Sequence, residues 1–111
     1  MIYVFDIDDT ICTKDSLEDY EDCRPIRKRI EKINNLYENG NIIILNTARG
    51  MGRFKNNCNL AESTFRELTE KQLALWNVKY HNLILGKPQG DFYIDDKGVK
   101  DEHFFANEFC S

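Results

Sequence analysis

The stretch MIYVFDIDDTIC, residues 1–12, decides the fold and locates its chemistry. Met1–Phe5 is a short apolar run of β-branched and aromatic residues, which predicts a buried strand. Asp6, Asp8 and Asp9 follow at once, and carboxylates at the end of a buried strand need a partner or a metal ion. Side chains two apart share a face of a strand, so Asp6 and Asp8 can point to one spot. Ligands bind parallel α/β sheets at the carboxyl ends of strands, so we expect a site for a divalent cation and an anion here.

Composition bounds the class of protein. The 111 residues suit one compact domain, which we expect to span residues 1–111. Hydrophobic residues make up 41% and charged residues 31%, as is typical of a soluble globular protein. No apolar run approaches the ~20 residues of a membrane-spanning helix, and a strand that starts at Met1 leaves no room for a signal peptide. The net charge of −4 argues against a dedicated nucleic-acid binder, because phosphate contacts need a basic surface.

Cysteine usage indicates the compartment. The four cysteines are scattered along the chain and form no C-x-x-C pair. A disulfide scaffold is therefore not expected, and a reducing cytoplasm fits better. Cys12 has no histidine beside it in the sequence, so we do not expect a thiol nucleophile.

The chain alternates strand and helix patterns, in the order strand, helix, strand, helix, strand, strand. This order predicts an α/β fold with a mostly parallel sheet and helices on both faces, a three-layer Rossmann-like sandwich. After the first strand, the predicted elements are a helix that begins at Pro25 and stops at Gly40, a strand at Asn41–Asn46 buried on both faces, a helix at Leu60–Asn77, and strands at Asn82–Leu85 and Phe92–Ile94.

Three segments fall outside these elements. Thr13–Cys23 is polar and acidic, which predicts an exposed loop or a short hairpin. Gly50–Asn59 is rich in glycine and asparagine, which predicts a mobile loop. The tail Asp101–Ser111 could form one helical turn, and its aromatic residues Phe104, Phe105 and Phe109 are expected to pack on the sheet.

The segment that contains the first helix is rich in basic residues. A solvated helix face explains them, and this is the interpretation that we favour, but a surface for a polyanion would look the same. The residues are Arg24, Arg27, Lys28, Arg29 and Lys32.

Polar residues of a definite type follow each of the four predicted strands. They are Asp6 with Asp8, then Thr47, then Lys87, then Asp95 with Asp96. Because the carboxyl ends of parallel strands meet at one edge of a sheet, we expect these side chains to converge. Two acidic clusters would repel each other unless a cation lies between them, and Mg²⁺ prefers oxygen ligands. A hydroxyl and an ammonium group suit phosphate oxygens, and a carboxylate can attack phosphorus covalently.

The segments FDIDDT, ILNT, GKP and FYIDD, in this order, resemble the four motifs of the haloacid dehalogenase (HAD) superfamily, and the resemblance covers nearly the whole chain. More narrowly, TARGM together with GKP and GDFYIDDK resembles the small phosphatases encoded with capsule and surface-polysaccharide biosynthesis. The resemblance implies a HAD-like fold and a magnesium-dependent phosphatase, that is, a phosphoric monoester hydrolase.

The resemblance also implies a role for each matching residue. Asp6 matches the nucleophile that becomes phosphorylated, and Asp8 matches the general acid/base. Thr47 matches the hydroxyl that holds the transferring phosphoryl group, and Lys87 matches the lysine that stabilises its charge. Asp95 matches the principal metal ligand of the fourth motif. The full set of carboxylates implied for Mg²⁺ is Asp6, Asp8, Asp95 and Asp96.

Two further charged residues border these motifs. Arg49 directly follows the second motif and could grip the phosphate or sugar of a substrate, or pair with an acidic loop; we favour the substrate. Asp9 is expected only to shape the turn after the first strand.

Many members of the superfamily carry a cap domain, but neither insertion point of this chain holds one. Ile11–Cys23 and Gly50–Asn59 are both too short, so the site should be open. Either the substrate is large, or a second copy of the chain closes the site, or the Gly50–Asn59 loop folds over it. An open site also disfavours a sugar phosphomutase, which must hold its intermediate away from water.

These observations favour a Mg²⁺-dependent phosphomonoesterase that forms an aspartyl-phosphate and acts on a small phosphorylated molecule, such as a sugar or a polysaccharide precursor. One alternative is an end-processing phosphatase for nucleic acid, which the open site and the basic helix motivate. Another is a catalytically idle domain that senses phosphate or Mg²⁺, or that scaffolds a partner.

Overall fold

A computed structural model of the protein describes residues 1–14 and 20–106, apart from the side chain of Lys14. Within these residues the chain forms five short strands, three α-helices and a 3-10 turn at Tyr20–Asp22. The strands are β1 (Ile2–Phe5), β2 (Cys12–Lys14), β3 (Cys23–Pro25), β4 (Ile42–Thr47) and β5 (Asn82–Leu85). The helices are α1 (Arg27–Glu38), α2 (Cys58–Leu75) and α3 (Asp101–Ala106).

The central layer is a parallel sheet in the strand order β1–β4–β5. Val4 lies opposite Ile44, and Asn46 lies opposite Ile84. β2 and β3 pair separately as an antiparallel hairpin, with Cys12 opposite Pro25. The α/β class and the parallel pairing of the first three predicted strands are therefore confirmed. Of the two structures expected for Thr13–Cys23, the described ends form the hairpin, and residues 15–19 lie outside the described part of the chain.

The protein core lies on one face of the sheet. Phe5 of β1 and Ile43 and Leu45 of β4 are buried on this face, against the apolar stripe of α1 and against α2. On the opposite face, Ile2 and Val4 of β1 are 64% and 60% exposed. The buried residues of the α1 stripe are Ile30, Ile33 and Leu36, as the helical spacing predicted.

The prediction of helices on both faces is wrong for the described residues. Both crossovers, β1 to β4 and β4 to β5, step in the same direction across the sheet. Because such connections are right-handed, α1 and α2 must lie on the same side. A helix on the other face requires a crossover that returns to the far side of β1. The predicted burial of β4 on both faces is wrong for the same reason, since Ile42 remains 43% exposed.

Phe92–Ile94, predicted as a fourth strand of the sheet, pairs with no strand in the described structure. Phe92 and Ile94 are 84% and 94% exposed. The apolar pattern identified a segment able to form a strand, but a strand also needs an edge to pair with. Both edge strands of the sheet, β1 and β5, have an outer edge that no described strand pairs with, and this segment pairs with neither.

The helix boundaries differ from the predicted ones at the amino-terminal ends, and α2 also ends at Leu75 rather than at Asn77. Pro25 ends β3 rather than starting α1, and the chain enters α1 through an extended Ile26. Proline is tolerated on an edge strand because the hydrogen bond that its missing N–H cannot donate is not needed there. α2 starts earlier than predicted because Asn57 caps it: the side-chain oxygen accepts a hydrogen bond from the N–H of Leu60 at 3.2 Å.

α3 packs against β1 through its aromatic residues. The ring centroids of Phe104 and Phe105 lie 5.5 Å and 6.0 Å from that of Phe5, which confirms the predicted packing of these two residues. Phe109, predicted to join them, lies outside the described residues. An ion pair of 2.7 Å between Arg29 and Asp101 joins α3 to α1.

The basic residues of α1 bind mainly within the protein. Arg27 donates to the carbonyl oxygen of Trp76, and Lys32 donates to that of Phe105. Together with Arg29, three of the basic side chains thus hold the fold together. Because these three side chains are bonded within the protein, fewer basic groups are available to bind a polyanion. None of the described helices is both long and apolar enough to cross a membrane.

Candidate functional site

A polar cavity of about 300 Å³ opens at the carboxyl ends of the parallel strands. Asp6 and Asp8 reach it from the segment after β1, Arg49 from the segment after β4, and Lys87 from the segment after β5. The expected convergence is therefore confirmed for Asp6, Asp8 and Lys87, whereas the end of β4 contributes Arg49 to the cavity instead of Thr47. A cavity of this volume is at the small end of ligand-binding pockets.

Asp6 and Lys87 face each other across this cavity. The Nζ atom of Lys87 lies 3.9 Å from Oδ1 of Asp6, and the two side chains are 24% and 34% exposed. Burial raises the pKa of Asp6, and the charge of Lys87 opposes this rise. The ammonium group of Lys87 also lies 4.4 Å from the centre of the Tyr93 ring, a cation–π contact that orients the lysine.

Asp8 is held by Arg49. Nε of Arg49 donates to Oδ2 of Asp8 at 3.0 Å, and Nη2 donates to Oδ1 at 3.1 Å. The remaining nitrogen, Nη1, donates to Oγ1 of Thr69 and to Oε1 of Gln72. Burial lowers the pKa of Arg49, but the hydrogen bonds and charge of Asp8 outweigh burial and raise it. From the sequence, Arg49 could either contact the substrate or pair with an acidic residue. The structure shows the acidic partner, and the substrate contact stays a prediction.

Thr47 does not line the cavity. It is fully buried, and its hydroxyl oxygen accepts a hydrogen bond from the backbone N–H of Arg49 at 3.1 Å. This bond fixes the turn that leads from β4 to Arg49. The predicted contact of Thr47 with a phosphoryl group stays a prediction.

Asp95 and Asp96 do not line the cavity. Both are exposed, and Oδ1 of Asp95 accepts hydrogen bonds from the backbone N–H groups of Lys97 and Gly98 at 2.9 Å and 2.5 Å. These bonds lower the pKa of Asp95. The structure therefore brings together Asp6, Asp8 and Lys87, and it leaves the acidic pair of the fourth motif outside the site.

The chemistry of the donor set suits Mg²⁺ at Asp6. Mg²⁺ takes oxygen ligands and is commonly held by one or two carboxylates together with water and substrate phosphate. A second set of close donor atoms consists of one oxygen of Asp8 and the thiols of Cys12 and Cys23, all within 4.8 Å of one another. This set does not suit Mg²⁺, because thiolates are soft ligands and the guanidinium of Arg49 already binds both oxygens of Asp8.

The sequence did not reveal the residues that surround Arg49. Thr69 and Gln72 are buried polar residues of α2, in line with the apolar residues Phe65 and Leu73. Polar residues at positions of the apolar stripe of a helix indicate that a polar partner is buried beside that helix. Tyr20 gave no such signal; its ring lies 5.0 Å from the guanidinium of Arg49.

The Gly50–Asn59 loop reaches the rim of the cavity. The side-chain oxygen of Asn56 accepts a hydrogen bond from the backbone N–H of Gln89 at 2.9 Å, and Gln89 lines the cavity. The hydroxyl of Tyr20 accepts a hydrogen bond from the N–H of Gly50 at 3.1 Å. The loop is thus attached to the site at both ends.

Comparison with known proteins finds similar folds but no matching family. No model of a known protein family matches the sequence, and no curated protein matches it. The fold is similar to that of a structural genomics target from Vibrio cholerae, with a TM-score of 0.88 and 25% identity over 96% of this chain and 89% of that one. It is also similar to a chain of the Pnkp1/Rnl/Hen1 complex, with a TM-score of 0.58 and 18% identity. That match covers 96% of this chain but only 33% of the other.

Proposed function

We propose that the protein is a phosphatase with a HAD-like fold and no cap domain, which hydrolyses a phosphomonoester through an aspartyl-phosphate on Asp6. The observation that carries this proposal is the pairing of Asp6 with Lys87 in one cavity that Asp8 also lines. The ordered motifs FDIDDT, ILNT, GKP and FYIDD support it independently. An ordinary structural ion pair would not need a second carboxylate on the same cavity wall.

In the first step, an oxygen of Asp6 attacks phosphorus, and the bond from phosphorus to the alcohol oxygen breaks. In the second step, water attacks the aspartyl-phosphate, and inorganic phosphate leaves while the Asp6 carboxylate is restored. The burial that raises the pKa of Asp6 makes its ionised oxygen a stronger nucleophile. The nearby charge of Lys87 favours that ionised form and attracts the phosphoryl oxygens.

Asp8 is the group placed to move protons in both steps. The two hydrogen bonds from Arg49 fix the orientation of its carboxylate at the cavity wall. From there it can accept a proton from the water that attacks in the second step. To donate a proton to the leaving alcohol in the first step, Asp8 must already carry one, which requires one of its oxygens to release Arg49. Mg²⁺, when bound at Asp6, would neutralise charge on the phosphoryl oxygens.

The size of the cavity supports a small substrate. A volume of about 300 Å³ suits a phosphoryl group with a compact organic portion. The narrower resemblance to polysaccharide-biosynthesis phosphatases makes a sugar phosphate or a polysaccharide precursor the proposed class. The nucleic-acid alternative receives less support, because Arg27, Arg29 and Lys32 are bonded within the protein. We propose a cytoplasmic location, which the free thiols of Cys12, Cys23 and Cys58 support.

Phosphate release tests the proposal. The purified protein is incubated with sugar phosphates, nucleotides and phosphopeptides, with Mg²⁺ or with EDTA. We expect release from at least one sugar phosphate with Mg²⁺ only, and a loss of about 10³-fold or more in Asp6→Asn. Asp91→Asn is the matched control, since Asp91 is exposed and does not line the cavity. Undiminished release in EDTA or in Asp6→Asn would overturn the mechanism.

A further inference from the structure

Two buried thiols and one carboxylate meet beside the cavity. Cys12 is fully buried, and Cys23 is 9% exposed. Their sulfur atoms lie 3.6 Å and 3.5 Å from the same oxygen, Oδ1 of Asp8. The two sulfurs and a carboxylate oxygen of Asp8 all lie within 4.8 Å of one another. The proposed phosphatase mechanism uses neither thiol and does not account for this convergence.

The β2–β3 hairpin fixes the arrangement. Cys23 pairs with Lys14, which lies two residues along β2 from Cys12. The two cysteines therefore lie on the same face of the hairpin. A β-bridge between Asp8 and Cys12 holds the backbone of Asp8 beside them. The spacing of the three side chains thus follows from paired backbone rather than from flexible loops.

We propose that Cys12, Cys23 and Asp8 form a binding site for a thiophilic divalent cation such as Zn²⁺. Zinc lies ~2.3 Å from a thiolate sulfur and ~2.0–2.2 Å from a carboxylate oxygen, with tetrahedral angles. These values place each bound sulfur roughly 3.6 Å from the bound oxygen, close to the 3.6 Å and 3.5 Å observed here. One such distance is an ordinary S–H···O hydrogen bond, but two sulfurs around one oxygen form a ligand set. Binding forms two Zn–S bonds and one Zn–O bond, and the two thiol protons go to solvent.

Arg49 balances the charge of this site. Two thiolates and one carboxylate carry three negative charges, which the two charges of Zn²⁺ and the one of the guanidinium offset. Nη2 of Arg49 lies 3.6 Å from the sulfur of Cys23, so it can donate to that sulfur when Oδ1 of Asp8 binds the metal. Nε keeps its bond to Oδ2 of Asp8 at 3.0 Å. Exchange of two protons for one Zn²⁺ therefore leaves the buried cluster neutral, which avoids the cost of an uncompensated buried charge.

The metal would also act on the proposed reaction, a consequence that rests on the proposed function. Asp8 lines the cavity and is the group proposed to move protons. With Oδ1 on the metal and Oδ2 on Arg49, neither oxygen of Asp8 remains free to accept a proton. Zn²⁺ is therefore expected to inhibit the phosphatase from a site separate from that of Mg²⁺ at Asp6.

Cobalt binding tests the site, because Co²⁺ takes the same ligands as Zn²⁺ and is coloured. The full-length protein is reduced, freed of metal with a chelator and titrated with Co²⁺. We expect a thiolate-to-cobalt charge-transfer band and the visible bands of tetrahedral Co²⁺, which saturate at one equivalent per chain and disappear when Zn²⁺ is added. The charge-transfer band should fall about twofold or more in Cys12→Ala and in Cys23→Ala. The matched control, which combines Cys58→Ser and Cys110→Ser, should keep the full band.

Zinc X-ray absorption of the wild-type protein gives a second measurement that needs no variant. Two sulfurs at ~2.3 Å and at least one oxygen at ~2.0–2.2 Å support the proposal. A zinc ion bound only by oxygen and nitrogen overturns it. So does a wild-type protein without the charge-transfer band, or a band that either alanine variant keeps in full.

Phosphate release tests the inhibition separately. With Mg²⁺ in excess, one equivalent of Zn²⁺ should slow release by the wild-type protein about tenfold or more, and a zinc chelator should restore it. Cys12→Ala should lose most of this inhibition, measured against its own rate without zinc. Equal inhibition in Cys12→Ala would show that Zn²⁺ acts elsewhere, such as in place of Mg²⁺, and would overturn the inhibition. An inactive wild-type protein instead refutes the proposed function and leaves the cobalt result intact.

Discussion

Arg49 binds both carboxylate oxygens of Asp8 through two hydrogen bonds of 3.0 Å and 3.1 Å, and its own side chain is fully buried. The pair joins the segment after β1 to the segment after β4. Through Thr69 and Gln72 it also joins both segments to α2. One ion pair thus fixes the position of a proposed catalytic carboxylate and connects the sheet to a helix.

Replacing Arg49 should destabilise the fold strongly. Arg49→Met leaves the Asp8 carboxylate without its cation and removes three hydrogen-bonded nitrogens, so we expect the free energy of unfolding to fall by about 3–5 kcal/mol. Urea denaturation followed by Trp76 fluorescence measures it. Lys71→Met is the control: its ion pair with Glu67 is exposed, and its loss should cost less than about 1 kcal/mol. Equal losses in the two variants would contradict a structural role for the buried pair.

Asp6→Asn should stabilise the protein at neutral pH. The pKa of Asp6 is raised above its ordinary value of 3.8 by burial, so folding disfavours the ionised carboxylate. Because the folded protein binds the Asp6 proton more tightly than the unfolded chain does, the free energy of unfolding falls as the pH rises from 3.8 through the folded pKa. Above the folded pKa the loss is constant. Asparagine carries no charge and does not suffer this loss, so the melting temperature of Asp6→Asn should exceed that of the wild type at pH 7. The difference should vanish as the pH falls towards 3.8. Thermal melts from pH 3.5 to 8 measure both trends. A gain independent of pH would contradict the electrostatic cause, and Asp91→Asn should show no gain.

The sheet was predictable because its signals are local. The run Ile42–Leu45 and the run Met1–Phe5 identify strands by composition alone, and the spacing of Ile30 and Ile33 identifies the buried side of α1. The strand ends then place Asp6 and Lys87 at one edge, as the parallel order requires. What the sequence could not indicate was whether Phe92–Ile94 reaches either edge of the sheet, so the segment was assigned to a sheet that it does not join in the described structure.

The partner of Arg49 depended on non-local geometry. Its choice of Asp8 follows from the distance between two strand ends that lie 41 residues apart in the sequence. Its other partners, Thr69 and Gln72, depend on how α2 is rotated against the sheet. Neither quantity is encoded in the residues next to Arg49, although the polar residues in the α2 stripe were a signal that could have been used.

Lys87→Met should impair catalysis and move its pH dependence. The charge of Lys87 lowers the pKa of Asp6 against the effect of burial, so removing the charge lets that pKa rise further. We expect kcat/KM for a hydrolysed phosphomonoester to fall by roughly 10²–10³-fold, and the acid limb of the pH profile to shift to higher pH. The control Lys97→Met removes an exposed lysine that does not line the cavity, and it should alter neither quantity. An unmoved acid limb in Lys87→Met would show that Asp6 does not control it.

The buried thiols should resist modification in the native protein. Burial and the nearby charge of Asp8 raise the pKa of both Cys12 and Cys23, which disfavours the reactive thiolate. Cys58 is exposed at the start of α2. With iodoacetamide at pH 8, peptide mass spectrometry should therefore find Cys58 labelled at least tenfold faster than Cys12 or Cys23. The difference should disappear in 8 M urea, and native labelling of Cys12 at the rate of Cys58 would contradict the buried hairpin.

Gly50→Ala should be far more costly than Gly40→Ala, although both glycines have positive φ angles of 79° and 88°. A Cβ atom at position 50 would lie 2.7 Å from the ring of Phe65, whereas nothing lies within 4 Å of one at position 40. The backbone conformation alone costs about 1–2 kcal/mol in each variant. The clash should add about 1–3 kcal/mol at position 50. Because Phe65 also contacts Tyr20, whose ring lies beside Arg49, the clash should reach the site as well. Urea titrations of the two variants give the difference directly; equal losses would mean that the Phe65 ring moves aside without cost.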